Sequence, residues 1–326
     1  MIVLFDRQTV RHTKMTKIQT VEDLPGIGPA GLEKLTSAGK NNLLSIAVCS
    51  IAELAELTGM TEAKARAVIQ AAREALPNTG LISAFDDRNT KQKTRFRIPS
   101  NSEALDKLLN GGFESGMISE AFGKNGAGKS QIAHQLCVNI QKLNPDFKAV
   151  YIDSENCFQP ERIEEMAKAQ DLDPEQVLKN IYKVHVFNTD HQMMTVDKDG
   201  EALLEKDKNI KLIIVDSIII HFRHEFTGRG ELFNRQAKLN RHASKLHELA
   251  YKYNLVIYIT NQVMEDPAAM FIDPVKPAGG NILGHISRLR LYLRKSGKGV
   301  TAKLVKSANL TDGECIFQVT TNGIGD

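Results

Sequence analysis

The sequence predicts an α/β protein whose mostly parallel central sheet continues into antiparallel C-terminal strands, with a small all-α domain before it. Three patterns indicate this fold class. From Ile98 to Asp326, short apolar runs alternate with helical segments, as in βαβ units. The last runs, RLRLYLRK, VTAKLVKSA and CIFQVTT, follow one another directly, which is typical of antiparallel strands. Residues 18–76 show only the apolar spacing of helices.

The composition is that of an ordinary globular protein. The chain has 326 residues, 42% of them hydrophobic and 25% charged, which suits one large and one small domain. A net charge of +3 is too small to indicate nucleic-acid binding by itself. The four cysteines are far apart and show no CxxC spacing, so we expect reduced thiols in a cytoplasmic protein and no zinc site. No apolar run approaches the roughly 20 residues of a membrane span.

The N-terminal part divides into an extension, a helical domain and a linker. Residues 1–17 form the extension, in which Met15 is an alternative start to Met1. The helical domain covers residues 18–76 and is expected to end there, since Pro77 disfavours helical geometry in the residue before it. The linker, residues 77–97, is polar and charged apart from the island LISAF and buries little surface. Residues 98–326 are expected to form the core.

The stretch GKNGAGKS matches G-x-x-x-x-G-K-[ST] and lies between the apolar run ISEAF and a helical segment. A loop of this kind turns main-chain N–H groups toward a phosphate chain, and the helix that follows adds its positive end. Lys129 is expected to reach the β- and γ-phosphates of a nucleotide, and the Ser130 hydroxyl to bind Mg²⁺. An incidental glycine-rich turn is the alternative. The predicted ATP-binding residues of this phosphate loop are Gly123, Lys124, Asn125, Gly126, Ala127, Gly128, Lys129 and Ser130.

Carboxylates follow two other predicted strands. Asp216 ends KLIIVD and is expected to hold Mg²⁺ through water, because parallel strands bring their carboxyl ends to one sheet edge. Glu155 and Asp153 both lie in YIDSEN, and either one suits the polarisation of the water that attacks a γ-phosphate. Spacing alone does not choose between them. These residues indicate an ATPase or, alternatively, a nucleotide-gated binding protein with negligible turnover.

Further motifs follow in a fixed order, and with them the chain resembles the archaeal RadA recombinases of the RecA superfamily. The resemblance covers roughly residues 20–326 and is weakest in the linker. It implies a RecA-like core and a DNA-dependent ATPase that forms rings or filaments on single-stranded DNA. It also implies catalysis of homologous pairing and strand exchange with double-stranded DNA. The motifs are LPGIGP, the phosphate loop, YIDSENCFQPERI, VFNTDHQM, IHFRHEF followed by GRGELFNRQAKLN, NQVM and GGNILGH.

The resemblance also implies individual roles. Glu155, and not Asp153, would be the catalytic glutamate. Gln262 and His285 would sense the γ-phosphate of a nucleotide that lies between adjacent subunits. ATP binding and assembly into a homo-oligomer would then stabilise the same interface.

The first expected DNA contact is the segment FRHEFTGRGELFNRQ. It carries Arg223, Arg229 and Arg235 on both sides of two glycines. Mobile guanidinium groups bind phosphates without reading the base sequence, so this contact should weaken with salt. An ordinary charged surface loop is the alternative interpretation.

The second expected DNA contact is residues 265–284, EDPAAMFIDPVKPAGGNILG. We find no clear helix or strand pattern in it, and it is long for a loop in a compact domain. Met270 and Phe271 either wedge between bases or tuck into the protein. Phosphate contacts are predicted from Lys276, Gly279, Gly280 and Asn281.

The N-terminal segment LPGIGPAGLEKL resembles a helix-hairpin-helix, and LTGMTEAKARAVI looks like a degenerate second copy. Gly26 and Gly28 would let main-chain N–H groups approach a DNA phosphate. A purely structural role is the alternative.

The linker departs from the pattern of the family. The family polymerises through a Phe-x-x-Ala element that adds a strand to the neighbour's sheet and buries both side chains. Here Leu81-Ile-Ser-Ala84 fits with leucine for phenylalanine, whereas Phe85 has no small partner three residues later. We therefore expect Leu81 and Ala84 to be the oligomerisation residues.

Two nucleotide contacts depart as well. Gln159 stands where the family has an arginine that stacks on adenine, and a glutamine lacks the cation–π attraction. Lys306 stands where archaeal relatives carry an aspartate that helps to hold a monovalent cation beside the γ-phosphate of the neighbour's ATP. An ammonium group there would replace the cation, unless the side chain points outward.

The favoured interpretation is a homologous recombinase that uses ATP and Mg²⁺. One alternative is a RadA paralogue that regulates recombination, and another is a RecA-like ATPase that acts on protein. The helical N-terminal domain and the loop arginines disfavour the paralogue, and a helix-hairpin-helix has no purpose in a protein-directed ring.

Overall fold

The computed structural model describes residues 18–76, 82–228, 230–265 and 275–326. The chain divides into two compact units, of which the first ends at Thr90 and the second covers Lys91–Asp326. In the described ranges no helix combines the length and the apolar character needed to cross a membrane. Several residues of the sequence-based predictions lie outside these ranges: Met1, Met15, Leu81, Arg229, Met270 and Phe271.

The first unit is helical, as the apolar spacing predicts. Its core is formed by one side of each of the helices before α5, with Leu35 and Leu54 fully buried. On α4 the buried residues Ala65, Val68 and Ala72 recur at helical spacing and so form one apolar face. The helices are α1 (Pro29–Ser37), α2 (Leu43–Ala47), α3 (Ile51–Thr58), α4 (Glu62–Ala75) and α5 (Ala84–Thr94), and α5 contains the division between the units.

The helix α5 lies in the segment that the sequence analysis treats as a linker. Periodicity does not predict it, because none of its residues is buried and it has no apolar face. Local signals form it instead. The Ser83 hydroxyl accepts a hydrogen bond from the Asp86 N–H, at 3.0 Å. Acidic residues in the first turn and lysines in the last turn match the helix dipole.

The second unit is built on a nine-stranded sheet with the order β13-β12-β11-β10-β3-β7-β6-β4-β5. The pairs from β10 to β5 are parallel, and those from β10 to β13 are antiparallel, as the sequence predicts. The strands are β1 (Arg97–Ile98), β2 (Phe113–Glu114), β3 (Met117–Gly123), β4 (Lys148–Asp153), β5 (Ile181–His185), β6 (Ile210–Asp216), β7 (Val256–Asn261), β8 (Val263–Glu265), β9 (Val275–Pro277), β10 (Leu289–Ser296), β11 (Gly299–Lys306), β12 (Gly313–Thr320) and β13 (Gly323–Gly325).

Helices cover both faces of the sheet, and the central strands are therefore apolar on both sides. On β7, Tyr258 packs in one core layer with Leu136 of α7, and Ile257 packs in the other layer with Leu246 of α13. A π-helical turn, Thr195–Gly200, joins α10 to α11. The helices of this unit are α6 (Glu103–Leu108), α7 (Lys129–Leu143), α8 (Pro160–Lys168), α9 (Pro174–Lys179), α10 (Thr189–Met194), α11 (Glu201–Lys206), α12 (Ile220–Glu225), α13 (Leu232–Tyr253) and α14 (Gly280–Ile286).

The stretch from 265 to 284 is more regular than the sequence indicates. The three-residue strands β8 and β9 pair in antiparallel fashion, with Val263 opposite Pro277, and α14 begins at Gly280. The expectation of a stretch with neither helix nor strand is therefore wrong at both of its ends. Strands of three residues are too short to show an alternating pattern.

Two buried histidines give the fold a sensitivity to acid. His134 on α7 is 1% exposed and stacks on the Tyr151 ring. Burial lowers the pKa of His134 to about 4, and burial likewise lowers the pKa of His242 on α13 to about 4. A histidine of the unfolded chain titrates near ~6.5. As the pH falls from that value toward 4, the unfolded state binds more protons than the folded state, and the free energy of unfolding decreases.

We expect His134→Phe, which keeps a stacked ring but cannot titrate, to flatten this pH dependence by up to ~1.4 kcal/mol per pH unit. Urea unfolding at a series of pH values between 4 and 7 measures the slope. His224→Phe, at an exposed position, is the matched control and should keep the wild-type slope. An unaltered slope in His134→Phe would contradict the lowered pKa.

Candidate active site

The phosphate loop connects the end of β3 to the start of α7. Gly123 closes β3 where a Cβ atom would lie 2.2 Å from the Leu293 carbonyl oxygen, so only glycine fits there. Gly128 directly precedes α7 with a φ of 86°, in the left-handed region that favours glycine. The loop therefore leads into a helix whose first N–H groups are available to an anion.

Lys129 is held inside the loop. Its ammonium group donates hydrogen bonds to the carbonyl oxygens of Gly123 and Lys124, at 3.0 and 3.1 Å. Burial lowers the pKa of Lys129, whereas the nearby carboxylates of Asp216 and Glu155 act in the opposite direction. A cation in this position can exchange two neutral carbonyl partners for phosphate oxygens, which are stronger acceptors because they are charged.

A cavity of about 670 Å³ opens next to the loop. Its size is typical of a small-molecule site. One wall consists of the loop and the first residues of α7, including Ser130 and Gln131. Glu155, Asp216 and Gln318 belong to the other walls. The structure thus brings Lys129, Ser130, Glu155 and Asp216 to one cavity, as the sequence analysis predicts.

Asp216 is positioned by the strands on both sides of β6. It is 3% exposed, and its carboxylate accepts hydrogen bonds from the Tyr151 hydroxyl of β4, at 2.7 Å, and from the Thr260 hydroxyl of β7. The Asp216–Ser217 peptide bond is cis. A carboxylate fixed in this way keeps lone pairs for water. Together with the Ser130 hydroxyl it offers the oxygen donors that suit Mg²⁺, which usually retains several water ligands.

Asp153 and Glu155 differ sharply in their surroundings. Asp153 is fully buried and accepts hydrogen bonds from the main-chain N–H groups of Cys157 and Phe158, at 3.0 and 3.2 Å. Its oxygens therefore stabilise the turn after β4. Glu155 lies on that turn, is exposed and faces the cavity. This contrast supports Glu155 as the carboxylate that meets a substrate.

Gln262, directly after β7, connects Glu155 to α12. Its amide N–H donates to the Glu155 carboxylate at 3.1 Å, and its amide oxygen accepts from the Arg223 guanidinium at 2.9 Å. Sequence spacing gives no sign of the contact to Arg223, since 39 residues separate the two side chains.

Gly123, Lys124 and Gln262 are near this cavity but not in its lining, and three further predicted nucleotide contacts lie elsewhere in the subunit. Gln159 is exposed at the start of α8. His285 lies on α14 beside a second cavity of about 490 Å³, which it lines with His247 and Arg288. The Lys306 ammonium donates to the carbonyl oxygens of Gly284 and His285, at 2.6 and 3.1 Å, at the end of α14. Within one subunit, none of these three side chains belongs to the lining of the cavity beside the phosphate loop.

The predicted DNA contacts fall into separate places. Gly26 has a φ of 86°, and Gly28 precedes α1, both in the first unit. Arg235 lies in the first turn of α13, and its guanidinium forms no hydrogen bond or ion pair with the described part of the chain. The remaining predicted contacts, Lys276 on β9 and Gly279, Gly280 and Asn281 at the start of α14, are partly or fully exposed.

Sequence reasoning missed several residues of the site. Tyr151 and Thr260 lie in apolar strands and donate hydrogen bonds to Asp216. These contacts depend on the order of the strands in the sheet. Cys157 and Lys295 line the cavity without belonging to the phosphate-loop motif. The only available signal for Cys157 was its position directly after the YIDSEN turn.

A phosphate loop at the carboxyl edge of a mostly parallel sheet, with an acidic residue at the end of β6, defines a P-loop ATPase domain. Comparison with known proteins refines this class. The family model Rad51 matches residues 91–326, and the model for a SAM-like helix-hairpin-helix tandem matches residues 18–74. The chain is 43% identical over 315 residues to the DNA repair and recombination protein RadA of Aeropyrum pernix. That alignment covers 95% of this chain and 98% of the relative.

The chain therefore belongs to the Rad51 family and, within it, to the archaeal RadA recombinases. Membership confirms the sequence-based interpretation as a recombinase with DNA-dependent ATPase activity and a helix-hairpin-helix domain. The alternatives of a regulatory paralogue and of an ATPase acting on protein are not favoured by these similarities.

Proposed function

We propose that the protein is a cytoplasmic DNA repair and recombination enzyme that assembles with ATP and Mg²⁺ into a filament on single-stranded DNA. It pairs that strand with homologous double-stranded DNA and exchanges strands. Base pairing, and not the protein, supplies sequence recognition. One observation carries the proposal: Lys129, Ser130, Glu155 and Asp216 meet at one cavity beside a glycine-rich loop.

The proposed chemistry divides among these groups. The loop N–H groups and Lys129 bind the triphosphate, and Ser130 and Asp216 hold Mg²⁺, directly and through water. The metal ion neutralises charge on the phosphates. Glu155 accepts a hydrogen bond from the attacking water and orients it toward the γ-phosphate. The exposure of Glu155 and the burial of Asp153 support this division of roles.

The proposed DNA contacts come from both units. Arg223, Arg229 and Arg235 bind phosphates of the single strand, and Lys276 with the start of α14 adds further contacts. Gly26 and Gly28 let the helix-hairpin-helix approach a phosphate. The Arg235 guanidinium, which has no partner among the described residues, and the open space at the Cβ positions of both N-terminal glycines support this assignment. His285 and Lys306 are proposed to meet the nucleotide of an adjacent subunit, which agrees with their absence from the lining of the cavity in their own chain.

Two substitutions test the nucleotide site. Lys129→Ala should abolish ATP binding, because the loop loses the ammonium group that is proposed to bind the β- and γ-phosphates. Glu155→Gln should keep ATP binding and lower turnover by a factor of roughly 10² to 10⁴, the usual contribution of a positioned base. Both are measured by nucleotide binding, DNA-stimulated ATPase activity and DNA strand exchange. Wild-type turnover in Glu155→Gln, or ATP binding by Lys129→Ala, would contradict the assignment.

The sheet offers an acceptor for oligomerisation. Within the described residues, its edge strand β5 pairs on one side only, with β4. An apolar cavity of about 140 Å³ lies beside this edge, with Tyr182, Val184 and Leu203 in its lining. An added strand could pair with β5 and insert an aliphatic side chain there. We propose that Leu81 and Ala84 of a neighbouring subunit are the residues that dock.

We expect Leu81→Glu to break the oligomer more than Phe85→Glu does. Phe85 is 62% exposed, and its ring lies under the Arg88 guanidinium, a contact that docking would break. Ala84 is the first residue of α5, so docking of Leu81 and Ala84 as a strand also requires the start of this helix to unwind. Both substitutions introduce the same charge, which makes each the control for the other. Size-exclusion profiles with ATP and DNA measure the assembly, and the reverse ranking would refute the choice of Leu81.

The position of Lys306 leads to a prediction about how ATPase activity and strand exchange depend on potassium. Its ammonium group lies between two main-chain carbonyl oxygens, which are also ligands for K⁺. We propose that it replaces a monovalent cation beside the neighbour's nucleotide. ATPase activity and strand exchange should then change little as KCl is raised at constant ionic strength, and Lys306→Asp should make both depend on KCl. A steep rise of wild-type activity with KCl would overturn this proposal.

A further inference from the structure

We infer that Arg223 is a positioning residue for Glu155 and acts on it through Gln262. When the Arg223 guanidinium binds a DNA phosphate, it no longer holds Gln262, and the positioning of Glu155 is lost. The inference rests on the proposed function, since it assigns a second task to a proposed DNA contact. It explains how occupancy of the DNA site could change the rate of ATP hydrolysis in the same subunit.

Two hydrogen bonds connect Arg223, in the first segment predicted to contact DNA, to the nucleotide cavity. The Arg223 guanidinium donates to the Gln262 amide oxygen at 2.9 Å, and the Gln262 amide N–H donates to Glu155 at 3.1 Å. Arg223 lies on α12 and Gln262 follows β7. The contact therefore spans two elements that leave neighbouring strands at the same sheet edge.

The donor and acceptor groups of Arg223, Gln262 and Glu155 determine the direction of both hydrogen bonds. A guanidinium can only donate hydrogen bonds, and a carboxylate can only accept them. The Gln262 amide must therefore turn its oxygen toward Arg223 and its nitrogen toward Glu155. If Arg223 leaves, the amide loses the partner that holds its orientation, and its N–H no longer has to point at the carboxylate.

Hydrogen bonds hold the Gln262 backbone in place, whereas its side-chain amide can rotate. The main-chain oxygen of Gln262 accepts a hydrogen bond from the Ala278 N–H at 2.9 Å, and Ala278 is buried. The neighbouring Asn261 side chain donates to the Ala278 oxygen at 2.7 Å. Loss of the Arg223 contact should therefore affect the direction of the Gln262 side chain more than the fold around it.

The contact has a consequence for hydrolysis. One oxygen of Glu155 accepts a hydrogen bond from Gln262, so this oxygen is a weaker acceptor for the attacking water. A DNA phosphate is charged and outcompetes the neutral amide oxygen for Arg223. DNA binding then releases Gln262 from Arg223 and Glu155 from Gln262, and the carboxylate can meet the water.

The experiment compares variants of the full-length protein in steady-state ATPase assays with and without a single-stranded homopolymer. Arg223→Ala should raise the DNA-free kcat at least roughly fivefold, the lower end of usual couplings between sites, with little change in the KM for ATP. Arg223→Lys retains one donor for the amide oxygen and should restore most of the low DNA-free rate. Arg241→Ala removes an exposed arginine whose ion pair with Asp197 spans 3.5 Å, and should behave as wild type.

A double-mutant cycle separates this task from a structural one. In a Gln262→Ala background the link is already broken, so adding Arg223→Ala should leave the DNA-free kcat unchanged within error. A DNA-free kcat of Arg223→Ala that equals or falls below that of wild type would overturn the inference. Additive effects of the two substitutions would overturn it as well.

Different results would refute the proposed function and the positioning role of Arg223. A wild-type protein whose ATPase activity ignores DNA would refute the proposed function. A DNA-stimulated wild type combined with an unraised rate in Arg223→Ala would refute only the positioning by Arg223. Binding of a non-hydrolysable ATP analogue to each variant shows whether its site is folded.

Discussion

The structure depends on one constraint, which is that the central strands run parallel and end at the same edge of the sheet. β3 ends at Gly123, β6 at Asp216 and β7 at Asn261. Their neighbours complete the arrangement, because hydroxyl groups on the strands at both sides of β6 hold the Asp216 carboxylate. A change of strand order would leave this buried carboxylate without donors, at a cost of several kcal/mol.

The same constraint explains why nucleotide and DNA chemistry are neighbours. The segment with α12 leaves the edge after β6, and the hairpin of β8 and β9 leaves it after β7. Arg223 on α12 therefore reaches Glu155, in the cavity beside the phosphate loop, over two hydrogen bonds through Gln262, which directly precedes β8. Such a short link needs no large movement of domains, and a rotation of one amide side chain suffices to change it.

The sequence specified the parts of this arrangement that are local. GKNGAGKS has a fixed spacing because its glycines and its lysine serve one bound group, and the apolar strands appear because both sheet faces are covered. Contacts between side chains of different strands or elements could not be predicted from the sequence, because they depend on the order of the strands in the sheet. Examples are Tyr151 with Asp216 and Arg223 with Gln262. Weak local signals also failed: α5 has no apolar face, and β8 and β9 have only three residues each.

The one-sided pairing of β5 has a further meaning for symmetry. The acceptor edge and the residues proposed to dock on it are different surfaces of one chain, so a contact between two copies is head-to-tail. No twofold axis can relate such copies, and each added subunit again presents a vacant edge. A filament built from this contact would have two unlike ends, whereas a closed ring would have none. A polymer with this directionality can match its own sense to the 5′-to-3′ sense of the strand that it covers.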